Sequence, residues 1–368
     1  MKNTFGSSLT VTLFGESHGE MIGAVLDGVA PGIKIDNEYI SSKLEQRKPH
    51  GRISTQRKEA DEYRIVSGVF EGYTTGTPIC ILIPNASQNS NDYKELKTTP
   101  RPSHADYTAG CKYLGYQDYR GGGHFSGRVT AALVAAGAIL SLALENKGIK
   151  IGTHISRLHG ISDRHFGEYE SDIDKLNFSL FPVLDSTVKE RMEEDITTAA
   201  QSGDSVGGVL ETALIGLPAG VGEPWFDTLE GTLSHILFSV PGIKGVEFGA
   251  GFALADMLGS EANDAFSLDG DKVVTKTNNN GGINGGISNG MPIVFRCAVK
   301  PTPSIFKSQS TLNLSTMKEE ELVIHGRHDP AIIHRARAVV DAVSALAVAD
   351  LLTVRFGTDF FSKGGEKI

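Results

Sequence analysis

Residues 129–144, VTAALVAAGAILSLAL, decide the fold class of this chain. Only Thr130 and Ser141 carry polar side chains in this stretch, so a helix formed by it is apolar on nearly every side. Such a helix must be buried on all its faces, which requires protein layers on both sides of it. The Asn146-Lys147-Gly148 sequence that follows is typical of a helix C-terminus, since glycine adopts a left-handed backbone without strain.

A second apolar segment lies near the end of the chain. Asp329-Pro330 predicts a helix start, with Asp329 as N-cap and Pro330 at the first helical position, and the helix is expected to reach about Leu352. Alternating apolar residues predict strands at 9–14, 206–215 and 292–299, and residues 85–127 are expected to be loop-like. We therefore expect an α+β fold, a single large domain over residues 1–368 with buried helices sandwiched between β-sheets. The charged residues 155–204 are predicted to form a peripheral element.

Composition excludes several classes of protein. The chain has 368 residues, a formal net charge of −9 and 40% hydrophobic residues, which excludes a disordered chain and argues against general nucleic-acid binding. The longest apolar stretch is shorter than the ~18 residues that a membrane span needs, and no export signal is visible. The widely spaced Cys80, Cys111 and Cys297 show no metal-ligand spacing and indicate reduced thiols. We expect a cytoplasmic protein without a metal site or a membrane partner.

Positive charge and histidine are concentrated in a few loops. Arg47-Lys48-Pro49-His50-Gly51-Arg52 contains no acid, and Arg120-Gly121-Gly122-Gly123-His124-Phe125-Ser126-Gly127-Arg128 opens onto the apolar helix, where free backbone N–H groups favour an anion. Seven of the eleven histidines lie in such loops: His18, His50, His104, His124, His325, His328 and His334. These loops predict a site for a small polyanionic substrate with histidines for proton transfer. The alternatives are a solvated surface run and a structural glycine turn.

The motif Gly15-Glu16-Ser17-His18-Gly19 follows the first predicted strand and admits three interpretations. It matches the G-x-S-x-G nucleophile elbow of serine hydrolases, although that elbow normally follows several strands. It is also compatible with a polar turn carrying a surface histidine. In the third interpretation His18 is held at a strand end as a general acid or base.

Six motifs taken together resemble the chorismate synthase family in their order and spacing. They are GESHG (15–19), RPSHADYT (101–108), RGGGHFSGR (120–128), KGVEFGAGF (244–252), GGINGGISNG (281–290) with KPTPS (300–304), and GRHDP (326–330). The resemblance extends from about residue 5 to about residue 352. It implies helices between antiparallel sheets, a homotetramer, and a lyase of the shikimate pathway.

The resemblance also implies the reaction and its cofactor. The substrate would be 5-enolpyruvylshikimate 3-phosphate, which loses phosphate and a ring proton by 1,4-anti elimination to give chorismate. The family requires reduced FMN although the reaction has no net redox change. Two sources of reducing power stay open, NADPH used by the protein itself and a separate flavin reductase. A non-catalytic flavin- or phosphate-binding protein is the remaining alternative.

Residue roles follow from the same resemblance. His18 would protonate the departing phosphate, His104 would be the proton partner of the flavin, and Asp329 would assist proton removal through the flavin. Ser17 and Ser126 would belong to the relay network. Flavin contacts are implied for Arg47, Arg52, His124, Phe125, Ser126, Gly285, Lys300, Pro301, Thr302, Pro303, Ser304 and Arg327, and substrate contacts for Arg47, Arg52, Arg128 and Arg335.

The chain departs from the usual family pattern in three places. Many members have Arg-Ser-Ser-Ala-Arg at positions 124–128. This chain has Phe125 where those members have a serine, and a phenylalanine side chain has no hydrogen-bond donor. Ser103 stands where glycine is usual, and Pro241-Gly242 replaces an Asn-Ala pair. We therefore expect any flavin contact of Phe125 to use its backbone or its ring.

Overall fold

The computed structural model describes residues 2–51, 53–54, 60–86, 98–324 and 328–362. The strands are β1 (Thr4–Phe5), β2 (Thr10–Gly15), β3 (Met21–Asp27), β4 (Arg64–Ser67), β5 (Val69–Phe70), β6 (Tyr73–Thr74), β7 (Ile79–Pro84), β8 (Lys150–Leu158), β9 (Ile161–Ser162), β10 (Gly208–Ile215), β11 (Ile243–Phe248), β12 (Phe266–Asp269), β13 (Lys272–Thr275), β14 (Ile283–Asn284), β15 (Ile287–Ser288), β16 (Ile293–Val299), β17 (Gln309–Asn313) and β18 (Lys318–Leu322).

The helices are α1 (Asn37–Arg47), α2 (Asp106–Lys112), α3 (Thr130–Glu145), α4 (Tyr169–Asn177), α5 (Ser186–Gln201), α6 (Leu229–Leu237), α7 (Gly259–Ala262) and α8 (Ile333–Phe356). Short 3₁₀ segments are Arg120–Phe125, Gly127–Val129, Trp225–Asp227, Gly251–Asp256 and Thr358–Phe361.

Two antiparallel sheets form the outer layers. The first has the strand order β1-β2-β3-β7-β4, and the second has the order β11-β16-β10-β8-β9. Strand β2 pairs with β3 from Thr10 opposite Asp27 to Gly15 opposite Ile22. Because side chains alternate between the faces of a strand, Ile79, Ile81 and Ile83 of β7 all point into the core.

Helices α3 and α8 fill the space between the sheets. Helix α3 contacts β3 and β7 of the first sheet, and α8 contacts β8 and β10 of the second. The two helices also pack on each other, and Gly137 permits this because a Cβ there would lie 2.6 Å from the Cβ of Ala342. Buried side chains from both helices and both sheets form one cluster. The predicted sandwich of buried helices between antiparallel sheets is confirmed.

The start of α8 differs from the prediction. The helix begins at Ile333, its N-cap is Ile332, and it has no side-chain cap, so the predicted capping role of Asp329 is wrong. The Asp329 carboxylate pairs instead with the Arg335 guanidinium. At the other end the helix continues past Leu352 to Phe356, where Gly357 has a φ of +89°.

Two segments contain helices or strands that the sequence did not predict. The segment expected to be loop-like contains α2, whose polar residues show no apolar periodicity. Residues 155–158 complete β8, an inner strand of the second sheet, and α4 and α5 follow. The domain limits, and the assignment of residues 155–204 to a peripheral element, stay predictions.

Among the described residues, one helical segment, Gly127–Glu145, is long and apolar enough to cross a membrane by length and composition. It has 19 residues, because it includes the 3₁₀ turn before α3 and extends beyond both ends of the apolar stretch 129–144. Inside the protein 83% of its apolar window is buried, as in the core helix of a folded domain.

Candidate active site

A cavity of about 1000 Å³ lies between the first turn of α3, the start of α8 and the loops before them. It brings together most of the residues predicted for the site. Those that line it are Arg47, His104, His124, Phe125, Ser126, Arg128, Lys300, Pro301, Thr302, Pro303, Ser304, Asp329 and Arg335. Apolar walls are supplied by Leu133, Val240, Ile332 and Val339.

The triglycine turn packs against two of the predicted catalytic histidines, His18 and His104, and Gly121 and His104 line the cavity. Gly121, Gly122 and Gly123 have φ values of +58°, +81° and +54°, a backbone region that suits glycine. A Cβ on Gly121 would lie 2.1 Å from Cε1 of His18, and one on Gly122 would lie 3.3 Å from Cε1 of His104. The turn thus allows both rings to approach the backbone more closely than a side chain would permit.

Ser17 and His18 are buried beneath this turn. The Ser17 backbone N–H donates to the Gly123 carbonyl at 3.0 Å, which fixes the GESHG loop to the glycine turn. The Ser17 side chain is 1% exposed, and among the described residues its Oγ has no hydrogen-bond partner. A serine nucleophile needs a base within hydrogen-bond distance and access to substrate. The serine-hydrolase interpretation is therefore wrong, and so is the polar turn with a surface histidine, since His18 is 4% exposed.

His104 contacts an aspartate and an arginine of the same motif, neither of which was predicted to belong to the site. Its Nδ1 lies 2.6 Å from Oδ1 of Asp106, and Arg101 donates to both carboxylate oxygens at 2.8 Å. Burial acts to raise the pKa of the Asp106 carboxyl, but hydrogen bonds from Arg101 and His104 outweigh it and hold that pKa below its usual range. A His-x-Asp spacing in a loop was the sequence signal for this contact.

Ser103 and Lys300 connect two of the predicted loops. The Lys300 Nζ donates to the Ser103 carbonyl oxygen, and Ser103 has a φ of +58°. A left-handed backbone is strained for serine, which accounts for glycine as the usual family residue there. Burial, followed by the charge of Lys244, lowers the pKa of the Lys300 ammonium.

Arg47 and Arg128 are braced by a buried aspartate. Arg47 lies 3.2 Å from Asp61, and Arg128 contacts the other oxygen of the same carboxylate. Arg47 also donates to Thr130 Oγ1 at 3.0 Å and Arg128 donates to Asn85 Oδ1 at 2.9 Å. Asp61 lines both the active-site cavity and a second cavity of about 830 Å³, so this residue forms part of the wall between them. Asp61 was not predicted from the sequence, because nothing in the pattern of residues around it indicates burial.

The start of α8 supplies one wall of the site. Arg335 pairs with Asp329 and also donates from Nε to the Arg47 carbonyl oxygen at 2.9 Å. Burial, followed by the charge of Arg101, lowers the pKa of His328. His334 faces away into the core, where burial and the nearby charge of Arg335 lower its pKa to about 3. His334 is therefore neutral near pH 7.

The residues that depart from the family pattern are accommodated in different ways. The Phe125 ring is partly exposed and makes an edge contact with Tyr113 at 6.0 Å between centroids. His124 Nδ1 lies 2.8 Å from the Gly15 carbonyl oxygen, which ties the triglycine loop to β2. Ser126 caps the 3₁₀ turn before α3 by accepting from the Arg128 N–H. Pro241 and Gly242 line the cavity.

Three described residues predicted for the site, Ser17, His18 and Gly285, are not among those that line the cavity. Gly285 lies in the turn of the β14–β15 hairpin and is not among the residues that line the cavity. Arg52 and Arg327 lie outside the described residues. Among the residues that the structure describes, no group of three or more His, Cys, Asp or Glu side chains is arranged to hold a metal ion.

Comparisons with known proteins agree on one family. A family model described as chorismate synthase matches residues 9–353. The chain is 47% identical to the chorismate synthase of Thermococcus gammatolerans over 351 residues, covering 95% of this chain and 97% of that protein. It is 44% identical to the chorismate synthase of Dehalococcoides mccartyi over 352 residues, covering 95% of this chain and 96% of the relative. A crystal structure of a chorismate synthase superposes with a TM-score of 0.73 at 29% identity, covering 96% of this chain and 94% of that one.

Proposed function

Because the chain belongs to the chorismate synthase family, flavin-dependent lyases of the shikimate pathway, we propose that it converts 5-enolpyruvylshikimate 3-phosphate to chorismate and phosphate with reduced FMN bound. The observation that carries the proposal is the meeting of His104, Lys300, Asp329 and the triglycine turn around one large cavity. Its volume is at the upper end of the ~300–1,000 Å³ usual for ligand pockets, which suits a flavin beside a substrate.

The lining of the cavity fits a flavin. Phe125, Leu133 and Val339 offer apolar surface for a ring system, and Lys300 and Lys244 offer positive charge for a phosphate. Among the described residues, the buried Thr302 Oγ1 and His328 Nε2 have no hydrogen-bond partner, so both are available to a polar ligand. Reduced FMN, when bound, supplies the electron density and the N5 region that the elimination requires.

His18 acts, in this proposal, on the departing phosphate. Its ring packs on Gly121, which lines the cavity and carries no side chain to block the ring. A proton held on the imidazole is thereby offered to a phosphate oxygen at the cavity wall. Ser17, bonded through its backbone to Gly123, keeps the loop in place, and its buried Oγ is available to the relay.

His104 and Asp329 act on the flavin side. His104 presents its Cε1–Nε2 edge towards Gly122 and lines the cavity, so its ring would hold or move a proton on the side where the flavin would bind. Asp329 is oriented by its pair with Arg335 and lines the same cavity, where its carboxylate would accept a proton. Ser126, which caps the turn before α3, adds a hydroxyl to this relay.

The arginines bind the anionic groups of the substrate and the cofactor. Arg335 borders the cavity directly, and Arg47 and Arg128 border it with Asp61 neutralising part of their charge. The same role is proposed for Arg52 and Arg327. The proline-rich segment 300–304 contributes backbone carbonyls and the hydroxyls of Thr302 and Ser304 to the flavin.

The test is turnover under anaerobic conditions. The protein, chemically reduced FMN and 5-enolpyruvylshikimate 3-phosphate should yield chorismate, detected by its absorbance and by released phosphate. His18→Ala and His104→Ala should each lower kcat by roughly 10²–10⁴ while FMN binding is retained, as expected of general acids or bases. Absence of chorismate from the wild-type protein with reduced FMN present would refute the proposal.

Three further properties belong to the same proposal. We expect a homotetramer in the cytoplasm, and light scattering would report the oligomeric state. Oxidation of NADPH by the protein with FMN in air would identify it as its own flavin reductase. No oxidation would mean that a separate reductase supplies the reduced flavin.

A further inference from the structure

The His104 ring is bound to a buried ion pair rather than to solvent. Its Nδ1 lies 2.6 Å from Oδ1 of Asp106. Asp106 in turn receives three hydrogen bonds from Arg101, from Nε and Nη2 at 2.8 Å and from the backbone N–H at 3.0 Å. Arg101 is itself buried and lies 3.4 Å from Ser304 Oγ, so it also contacts the segment proposed to bind the flavin.

Only one tautomer of His104 satisfies the contact with Asp106. A carboxylate accepts hydrogen bonds and a guanidinium only donates them, so Nδ1 cannot serve both partners. The 2.6 Å contact with Asp106 is shorter than the 3.0 Å contact with Arg101 Nη2, and that Nη2 already donates to Asp106. The proton therefore lies on Nδ1, and in the neutral ring the lone pair lies on Nε2.

The opposite edge of the ring faces the glycine turn. A Cβ built on Gly122 would lie 3.3 Å from Cε1 and 3.5 Å from Nε2 of His104. Within the described part of the chain, the structure shows no hydrogen bond to His104 Nε2. Gly122 has a φ of +81° and no side chain, so the turn leaves this edge of the ring unobstructed, and His104 is one of the residues that line the cavity.

We infer that Asp106 and Arg101 are positioning residues for His104: Asp106 fixes the Nδ1–H tautomer and the ring plane, and Arg101 fixes the Asp106 carboxylate. Nε2 is then the nitrogen that exchanges a proton in the cavity. The inference rests on the proposed role of His104 and names the atom that performs it. An aspartate that selects a histidine tautomer contributes through the histidine alone, because it touches neither substrate nor cofactor.

A spectroscopic measurement tests the tautomer without turnover. Protein labelled with ¹⁵N-histidine and free of flavin should give long-range ¹H–¹⁵N signals of an Nδ1–H tautomer for His104, assigned by their loss in His104→Ala. In Asp106→Asn and Arg101→Gln this signal should shift towards the Nε2–H tautomer or a mixture. An Nε2–H tautomer in the neutral wild-type ring would overturn the inference, whether or not any variant folds.

Kinetics test whether Asp106 acts through His104. Asp106→Asn should lower kcat by about 10²-fold and change KM little, since it removes an orienting contact and not a binding group. In a His104→Ala background the same change should cost no further activity. An equal loss in both backgrounds would overturn the inference.

A matched ion pair controls for stability. Asp172 is held in the same way, by Arg164 at 2.8 and 2.6 Å and by the Gly167 N–H at 3.0 Å, but lies outside the cavity. Asp172→Asn should leave kcat at the wild-type value, and a loss equal to that of Asp106→Asn would overturn the inference. Wild-type protein with the expected His104 signal but no chorismate formation would refute the proposed function alone.

Discussion

Adding one methyl group to the triglycine turn should disable the site. In Gly121→Ala the new Cβ would lie 2.1 Å from Cε1 and 2.2 Å from Nδ1 of His18, and the backbone φ is +58°. Ordinary contact begins near 3.4 Å, so the ring must move by about 1.3 Å. The left-handed backbone costs about 1–2 kcal/mol and overpacking a further ~1–3 kcal/mol. We expect the free energy of unfolding to fall by about 2–5 kcal/mol.

Activity should fall further than this loss of stability explains. A misplacement of about 1 Å in a catalytic group costs roughly 10²-fold in rate. The kcat of the fraction that remains folded should therefore fall about 10²-fold, measured as chorismate formation beside urea unfolding curves. Gly122→Ala should lower kcat less than Gly121→Ala does. Its Cβ would meet the His104 ring at 3.3 Å, which requires a shift of only a few tenths of an ångström.

The same loop contains the control. Gly127 has no positive φ, and a Cβ there meets nothing within 4 Å. Gly127→Ala should keep full activity and raise the free energy of unfolding by about 0.4–1 kcal/mol, because alanine restricts the unfolded chain. Wild-type kcat in Gly121→Ala, or an equal loss in Gly127→Ala, would refute the role assigned to the close contact with His18.

Three other predictions concern single positions. Ser103→Gly should raise the free energy of unfolding by about 0.5–1 kcal/mol in urea titrations, because it relieves a left-handed serine; a loss would contradict the strain. His154 is fully buried between Asp163 and Glu211. Burial lowers its pKa, but the hydrogen bonds that its ring donates to the two carboxylates outweigh burial and raise that pKa above 6.5. The charged ring therefore stabilises the fold fully below pH 6.5, and this contribution is lost as the pH rises through the raised pKa. His154→Asn should accordingly lose most stability near pH 6, with a smaller loss at higher pH; a loss independent of pH would contradict the charge state. Ser17 should not react with a fluorophosphonate probe, and labelling of Ser17 would restore the hydrolase hypothesis.

The local sequence pattern was sufficient to locate the main helix and several strands that form the core. The apolar run before Asn146 defined α3, and alternation located β2, β10 and β16 to within about two residues. The N-terminus of α8 was misplaced, because Asp329 satisfies the capping rule locally but makes its contact with Arg335 instead. Helix α2 was missed because its residues carry no apolar stripe.

The candidate site, like the fold, was predicted from the sequence only in part. Composition and motif spacing were enough to indicate a cationic, histidine-bearing site for an anionic ligand, because residue type limits what charge and proton chemistry a loop can perform. They could not show that Asp61 neutralises both Arg47 and Arg128, since partners 14 and 67 residues apart in sequence meet only in the folded chain.

The sequence by itself determined the layered fold and the chemical class of the site, because hydrophobic periodicity and residue chemistry are local properties. Only the tertiary structure decided which nitrogen of His104 contacts Asp106, which cations are already paired, and why Gly121 and Gly122 carry no side chain. Those properties depend on distances between segments that are remote in sequence, and such distances are fixed when the helices pack between the two sheets.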